Sequence, residues 1–181
     1  MTGVFPGRPA LAVAILIALI ASSACGTKPR SQPADPPAAR ADATVPADPY
    51  LDLTAEDPHG RALRFADFAG TVRVIDLWAT WCGPCRETIP ELNALYARYR
   101  ARGLVVIGLS VDENPAAVLE FQREVPMRYP TGLTNPAIAA RLGDPEAIPT
   151  TLLIDRRGRL VRTFVGFVDR TTLEAALKEL L

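Results

Sequence analysis

The stretch Val74-Ile-Asp-Leu-Trp-Ala-Thr-Trp-Cys-Gly-Pro-Cys-Arg86 constrains this chain more than any other. Val72 to Trp78 is mostly apolar, as expected of a strand covered on both faces. It runs straight into a two-cysteine turn, and helical spacing of apolar residues begins just beyond. Only Gly83 and Pro84 separate Cys82 from Cys85. A helix-initiating turn can bring such a pair into bonding range. The N–H groups at a helix start are unpaired and carry partial positive charge, which favours a thiolate there. The thiolate is the nucleophile of disulfide exchange. Cys82 can then attack the disulfide of another protein, and Cys85 can release the mixed intermediate.

Two other uses of the pair stay open. A structural zinc site needs about four ligands, commonly two such pairs or one pair plus histidines. The chain offers one pair, a distant Cys25 and a single histidine, His59. No metal site is therefore expected. The cysteines could also be small apolar core residues, but burial alone does not call for the tight corner built by Trp81, Gly83 and Pro84. With 20 basic and 20 acidic residues and no basic face, no nucleic-acid partner is expected.

The rest of the pattern reads as strands alternating with helices, with enough chain for one domain in 181 residues. Tyr50–Leu53 and Ala62–Phe65, separated by Asp57-Pro-His-Gly60, read as an N-terminal hairpin, followed by a short turn at Asp67–Gly70. His59 falls in the hairpin turn and is expected to be solvated. Cys85 to Arg102 reads as a helix with Ile89, Leu92, Leu95, Tyr96 and Tyr99 on one face, ended by Gly103 and kinked at Pro90. Leu104–Ser110 is a buried strand. Asn114-Pro115 opens a helix whose Val118, Phe121 and Val125 line one side. Met127–Leu133 is ambiguous, with a short strand one reading, and Asn135–Leu142 reads as a helix ended by Gly143. Thr151–Ile154 and Leu160–Val165 read as strands joined by a turn at Asp155-Arg-Arg-Gly158. A last helix starts near Asp169 and buries Leu173, Ala176, Leu177 and Leu180.

Asp76 interrupts the central strand. An acid there is costly to bury unless it has a task or a partner. The plainer reading is an edge or partly hydrated aspartate with a structural hydrogen bond.

Before the folded part, residues 1–24 read as a targeting segment. Arg8 precedes an apolar run from Ala10 to Ala21, about 12 residues, which is short for a membrane span and suits a signal-peptide core. Ser22-Ser-Ala-Cys25 resembles a bacterial lipoprotein cleavage box, with Ser22 where Leu is more usual. That resemblance implies lipidation of Cys25 and accounts for an otherwise unpaired thiol. The alternative is an ordinary signal peptide or an uncleaved anchor. Residues 25–49 hold six prolines and, Val45 aside, no large apolar residue, so they read as a flexible linker. The folded domain is expected from 50 to 181.

Trp81-Cys-Gly-Pro-Cys85 resembles the active-site motif of the thioredoxin superfamily. The longer run Trp78-Ala-Thr-Trp-Cys-Gly-Pro-Cys-Arg-Glu-Thr-Ile-Pro90 is similar to its membrane-tethered branch, the TlpA/ResA-like thiol–disulfide oxidoreductases. The resemblance covers about residues 50 to 181. It implies an α/β thioredoxin-like fold, a central mixed sheet flanked by helices, with an N-terminal hairpin and a central strand–helix insertion. Asp76, six residues before Cys82, then stands where thioredoxins keep a buried acid that moves the proton of the second cysteine. The tethered branch more often has Asn there. Glu often stands where this chain has Thr88, so no role passes to Glu87. Ala147-Ile-Pro-Thr150 looks like the cis-proline loop that faces the cysteines. Pro149 would then shape the substrate groove, with Trp81, Gly83, Pro84 and the backbone beside Ile148.

The resemblance further implies a lipid-anchored enzyme on the extracytoplasmic side of the cell envelope (the periplasm). It would reduce client proteins such as apocytochromes c and draw electrons from a transmembrane thiol donor. No cofactor is implied, and a monomer is the default. A copper-handling module of the same fold is the second reading, although Met127 lacks a partner methionine and His59 lies far along the chain. A thiol peroxidase is the third. Thr80 stands two residues before Cys82, but the proline-containing loop before a peroxidatic cysteine is missing.

Overall fold

The computed structural model describes residues 47–181. In chain order these form β1 (Thr54–Glu56), β2 (Ala62–Arg64), a 3-10 turn at Phe65–Phe68, β3 (Val72–Trp78), α1 (Gly83–Tyr99) and β4 (Leu104–Ser110). Then follow α2 (Pro115–Glu124), β5 (Thr131–Leu133), α3 (Pro136–Arg141), β6 (Thr150–Ile154), β7 (Leu160–Val165) and α4 (Arg170–Lys178). All seven strands join one mixed sheet in the order β2-β1-β5-β4-β3-β6-β7. At its centre β3 lies parallel to β4 and antiparallel to β6.

Every residue of β3 is buried, as its apolar run requires. Alternation along the strand divides the core. Val72 and Val74 pack with Leu92, Leu95 and Tyr99 of α1 and with Leu173, Ala176 and Leu177 of α4. Ile75 and Leu77 face the other way, towards Phe65, Ile138 and Leu142. Burying a side chain of this size contributes roughly 1.5–3 kcal/mol, so the two layers fix the sheet between helices.

Local sequence sets the helix ends. Asn114, Asn135 and Asp169 cap α2, α3 and α4 through their side-chain oxygens, and Pro115 and Pro136 open two of those helices. Gly103 closes the 3-10 turn that ends α1, at φ +90°, a conformation that L side chains rarely adopt. Pro90 lies inside α1 with its ring on an exposed position.

Two hairpin turns use one device. Asp57 accepts from the N–H groups of His59 and Arg61 and from Arg61 Nε. Asp155 accepts likewise from Arg157 N–H, Arg159 N–H and Arg159 Nε. In each turn glycine at the fourth place has positive φ, +80° at Gly60 and +79° at Gly158.

The structure departs from the sequence reading at a few places. The first strand begins at Thr54, not Tyr50. Tyr50 and Leu53 both reach the core from a turn, which the spacing of three allows and a strand would forbid. Asp48 sets up that turn by accepting from Tyr50 N–H at 3.0 Å, and it also pairs with fully buried Arg73. Contacts with the fold thus begin two residues before the expected boundary. The helix after the cysteines starts at Gly83 rather than Cys85. Of the ambiguous run, Thr131–Leu133 is a strand between β4 and β1. The expected signal peptide, Cys25 and most of the linker lie outside the described residues.

Candidate active site

The end of β3 and the start of α1 meet at a corner of four residues, Ala79 to Cys82. Cys82 is the N-cap of α1, and its Sγ accepts from Cys85 N–H at 3.3 Å. Gly83 and Pro84 are the first two helical positions, where proline's missing N–H costs nothing. Cys82 and Cys85 form a disulfide, with Cα atoms 5.3 Å apart. Cys82 keeps 5% exposure and Cys85 none. Only the first sulfur can therefore meet a partner without rearrangement. No acidic residue lies in the first turn of α1 to oppose a thiolate.

Below the disulfide the packing is tight. Cys82 and Cys85 share a cluster with Trp78, Ala79, Ile89, Val118 and Phe121, and Ile148 leans on it. Trp78 and Phe121 rings lie 5.0 Å apart. Thr88 is buried and donates to Pro84 O, so it fills the place considered for an acid with an internal hydrogen bond.

Asp76 has no exposure and lies in the middle of the sheet, paired with Gly108 and Thr151. This corrects the reading of an edge or hydrated aspartate. Thr151 Oγ1 donates to Asp76 Oδ1 at 3.0 Å, while Oδ2 has no partner among the described residues. Burial pushes the carboxyl pKa up to about 7, against the smaller pull of the Thr151 hydrogen bond. A group poised there can take or give a proton at neutral pH.

The loop before β6 is brought to the same end of the sheet. The Ile148–Pro149 peptide bond is cis. Pro149 is buried, and its carbonyl accepts from Gly166 N–H at 2.8 Å. Ile148 is half-buried and touches the cluster that holds both cysteines. Trp81 is 71% exposed, with exposed Gly83 and Pro84 next to it. Val165 and Phe167, flanking Gly166, are also exposed.

Sequence reasoning missed Asp112. Its carboxylate accepts from Thr80 N–H at 2.9 Å, Thr80 Oγ1 at 2.8 Å and Ser110 Oγ at 2.6 Å. It therefore ties the corner before Cys82 to the end of β4. An acid just past the carboxyl end of a central parallel strand was the available signal. The same bond engages the Thr80 hydroxyl that the peroxidase reading singled out.

Among the described residues no group of three or more His, Cys, Asp or Glu could hold a metal ion. His59 and Met127 do line one cavity of about 530 Å³, but neither cysteine does, and the Met127 sulfur faces Gln122 Nε2 and Thr131 Oγ1. No described helix is long and apolar enough to cross a membrane.

A disulfide capping a helix, a buried acid on the preceding strand and a cis-proline loop beside it define a thioredoxin-fold thiol–disulfide oxidoreductase. Residues 40–181 match the Redoxin family, and the chain belongs to it, within the ResA/TlpA-like part of the thioredoxin superfamily. It is similar to thiol–disulfide oxidoreductase ResA of Bacillus thuringiensis, 29% identical over 129 residues that cover 71% of this chain and 75% of that one. ResA of Bacillus subtilis is 27% identical over 122 residues, covering 67% and 68%. A Chlorobium tepidum crystal structure, solved as a candidate thiol:disulfide interchange protein DsbE, superposes with TM-score 0.66 at 30% identity, covering 74% of this chain and 95% of that one.

Proposed function

We propose that the protein reduces disulfides of client proteins outside the cytoplasm through a Cys82/Cys85 dithiol–disulfide cycle. The observation that carries this is the asymmetry of the pair, Cys82 keeping 5% exposure as the N-cap of a helix and Cys85 sealed behind it with none. Cys82 thiolate attacks one sulfur of a client disulfide. A Cys82–client bond forms, the client disulfide breaks, and one client thiolate leaves. Asp76 takes the proton of Cys85, whose thiolate then attacks Cys82 Sγ. The Cys82–Cys85 disulfide forms, the mixed disulfide breaks, and the second client thiolate departs. Two electrons pass to the client. Pro149, Ile148, Trp81, Gly83 and Pro84 form the groove in which an extended client segment lies.

To act again, the oxidised pair needs two electrons, which fits a transmembrane thiol donor. Gly-Pro between the cysteines, as in reducing thioredoxins, supports the reductive direction. Apocytochromes c are the client class that the family resemblance suggests. Cleavage before Cys25 and its lipidation would tether the domain on the periplasmic side. Several buried acyl chains, at about 0.8 kcal/mol per CH₂, hold such an anchor.

The test is capture. Cys85→Ala expressed in its own cell envelope leaves the mixed disulfide unresolved. Client proteins joined through Cys82 are the expected product. Recovery of none, with copper bound tightly instead, would favour the metal-handling reading, and peroxide turnover would favour the peroxidase. Cys25→Ser should release the domain from membranes.

A further inference from the structure

The end of the domain away from the cysteines carries an excess of positive charge. β3 runs for 7 residues from Val72 to Trp78. At about 3.3 Å per residue, its start lies roughly 20 Å from the end that leads to Cys82. Four segments meet at that start. Val72 N–H donates to Gly103 O at 3.0 Å, and Arg73 stands opposite Ile154 in the ladder. Arg156, in the β6–β7 turn, donates to Gly70 O at 3.3 Å and to Arg102 O at 2.9 Å. The turn therefore lies against the end of α1, and Arg98, Arg100 and Arg102 come to the same pole as Arg156 and Arg157. Tyr99 spaces two of them, with the Arg98 and Arg102 guanidiniums each 5.4 Å from its ring centre.

Most acids of this pole are already engaged. Asp155 pairs with Arg159 at 2.7 Å, and Asp48 with fully buried Arg73. Glu174 serves both Arg98 at 2.9 Å and Lys178 at 3.8 Å. Asp67 lies 3.7 Å from Arg64, and Glu179 stays exposed at the end of α4. Arg100, Arg102, Arg156 and Arg157 are all exposed, and none has an acidic partner among the described residues. Beside them Arg100 and Arg128 share a cavity of about 190 Å³ with Tyr96 and Ala97. This corrects the expectation of no basic face. The even balance of 20 basic and 20 acidic residues hid a grouping that the fold assembles across 54 residues of sequence.

The chain joins the domain at the same pole. Asp48, among the first described residues, seats its carboxyl on the β6–β7 turn, in the place a side chain on Gly158 would take. Whatever precedes Asp48 thus reaches the domain beside the arginines and not beside the cysteines.

We infer that this arginine pole is a docking surface for an anionic lipid membrane, on which the domain stands with its Cys82 corner turned away into solution. The inference rests on the reading of Cys25 as a lipid anchor. An anchor brings the bilayer to the pole where the chain enters, and the unpaired guanidiniums meet the headgroup phosphates, which their planar fork can grip with two hydrogen bonds. Each basic residue near such a surface strengthens binding about fivefold, an effect that salt screens. Contacts of that strength are reversible, so the domain is free to tip towards a donor within the membrane and return.

The experiment maps which arginines a membrane covers. The full chain is recovered from its own envelope and placed on vesicles of phosphatidylcholine, alone or mixed with phosphatidylglycerol. It is then treated with an arginine-specific dicarbonyl reagent and read by mass spectrometry. Arg100, Arg102 and Arg157 should be protected several-fold on the anionic vesicles and not on the neutral ones. Arg86, beside the cysteines, and Arg123 of α2 should react equally on both. Replacing the three together (Arg100→Gln, Arg102→Gln and Arg157→Gln) should weaken the salt-sensitive part of binding to anionic vesicles on the order of a hundredfold. Turnover of a small soluble disulfide should not change, which shows that the fold is kept. Protection of Arg86 equal to that of Arg100, equal protection on neutral vesicles, or wild-type binding by the triple variant overturns the inference. Protection by heparin with none from anionic vesicles assigns the pole to another polyanion and overturns it too. Cys25→Ser removes the anchor and keeps the arginines. If that variant stays on cell membranes as the wild type does, the anchor reading fails, and the footprint on anionic vesicles still decides for or against the pole.

Discussion

On the solvent side of the Cys82–Cys85 bond, Trp81 is 71% exposed, and Gly83 and Pro84 lie open beside it. On the protein side, Cys85, Trp78 and Asp76 have no exposure at all. The outer side is built for contact and has little packing to lose. The inner side is built for proton chemistry at the cost of burying a carboxyl. Substitutions on the two sides should therefore change different quantities, client capture outside and resolution and pH response inside.

The largest effect is expected where the two sides meet. Cys82→Ser should lower turnover of a disulfide substrate roughly a thousandfold or more, because a hydroxyl cannot replace the attacking thiolate. Cys85→Ala should keep the first attack and stop at the adduct. Retention of full turnover by either variant would remove the division of labour.

Next comes Asp76. Asp76→Asn should slow resolution at pH 7 on the order of a hundredfold while leaving the first attack nearly intact. Equal slowing of both steps in rapid-mixing traces would argue against a proton role. The same carboxyl sets a stability signature. Its folded pKa, about 7, lies above its ordinary value, so the folded state holds the proton that the unfolded state releases. Stability should fall as pH rises from about 4 to about 7 and stay low above, by on the order of a few kcal/mol. Asp76→Asn should flatten that fall in denaturant titrations and be the more stable form at pH 8. A wild-type curve that rises over this range would contradict the burial of an unpaired acid.

Smaller still is the clamp. Asp112→Ala removes the acceptor of three hydrogen bonds at the corner and should cost about 1–3 kcal/mol, read by denaturant unfolding. It should also loosen the approach of Cys82 to clients. Trp81→Ala should be the mildest for the fold, within about half a kcal/mol, as expected of a surface side chain. Its effect should appear as weaker client capture at unchanged resolution. A large loss of stability in Trp81→Ala would place that ring inside the fold.

Much of this was legible in the residues. The apolar run of β3, the glycine stops, the asparagine caps and the cysteine spacing each state a local rule, and the strands β3, β4 and β7 fall where those rules put them. The resemblance to thioredoxins pointed to Asp76 and to the cis bond before Pro149. What could not be read was long-range. Tyr50 and Leu53 looked like a strand because alternation over four residues does not separate strand from turn, and Asp48 decided for the turn. Asp112 comes to the corner across the β3–β4 pair, 32 residues beyond Thr80. The exposure of Trp81 likewise follows from how the corner packs, not from its neighbours in the chain.

The most direct test uses stoichiometry. Fully reduced protein is mixed with a disulfide-bonded client peptide, quenched with an alkylating reagent and weighed by mass spectrometry. One Cys82–Cys85 disulfide should appear for each client disulfide lost, through a transient Cys82–client adduct that accumulates in Cys85→Ala. A pair that cannot be reduced by small dithiols, or that stays reduced while client disulfides disappear, would contradict the account.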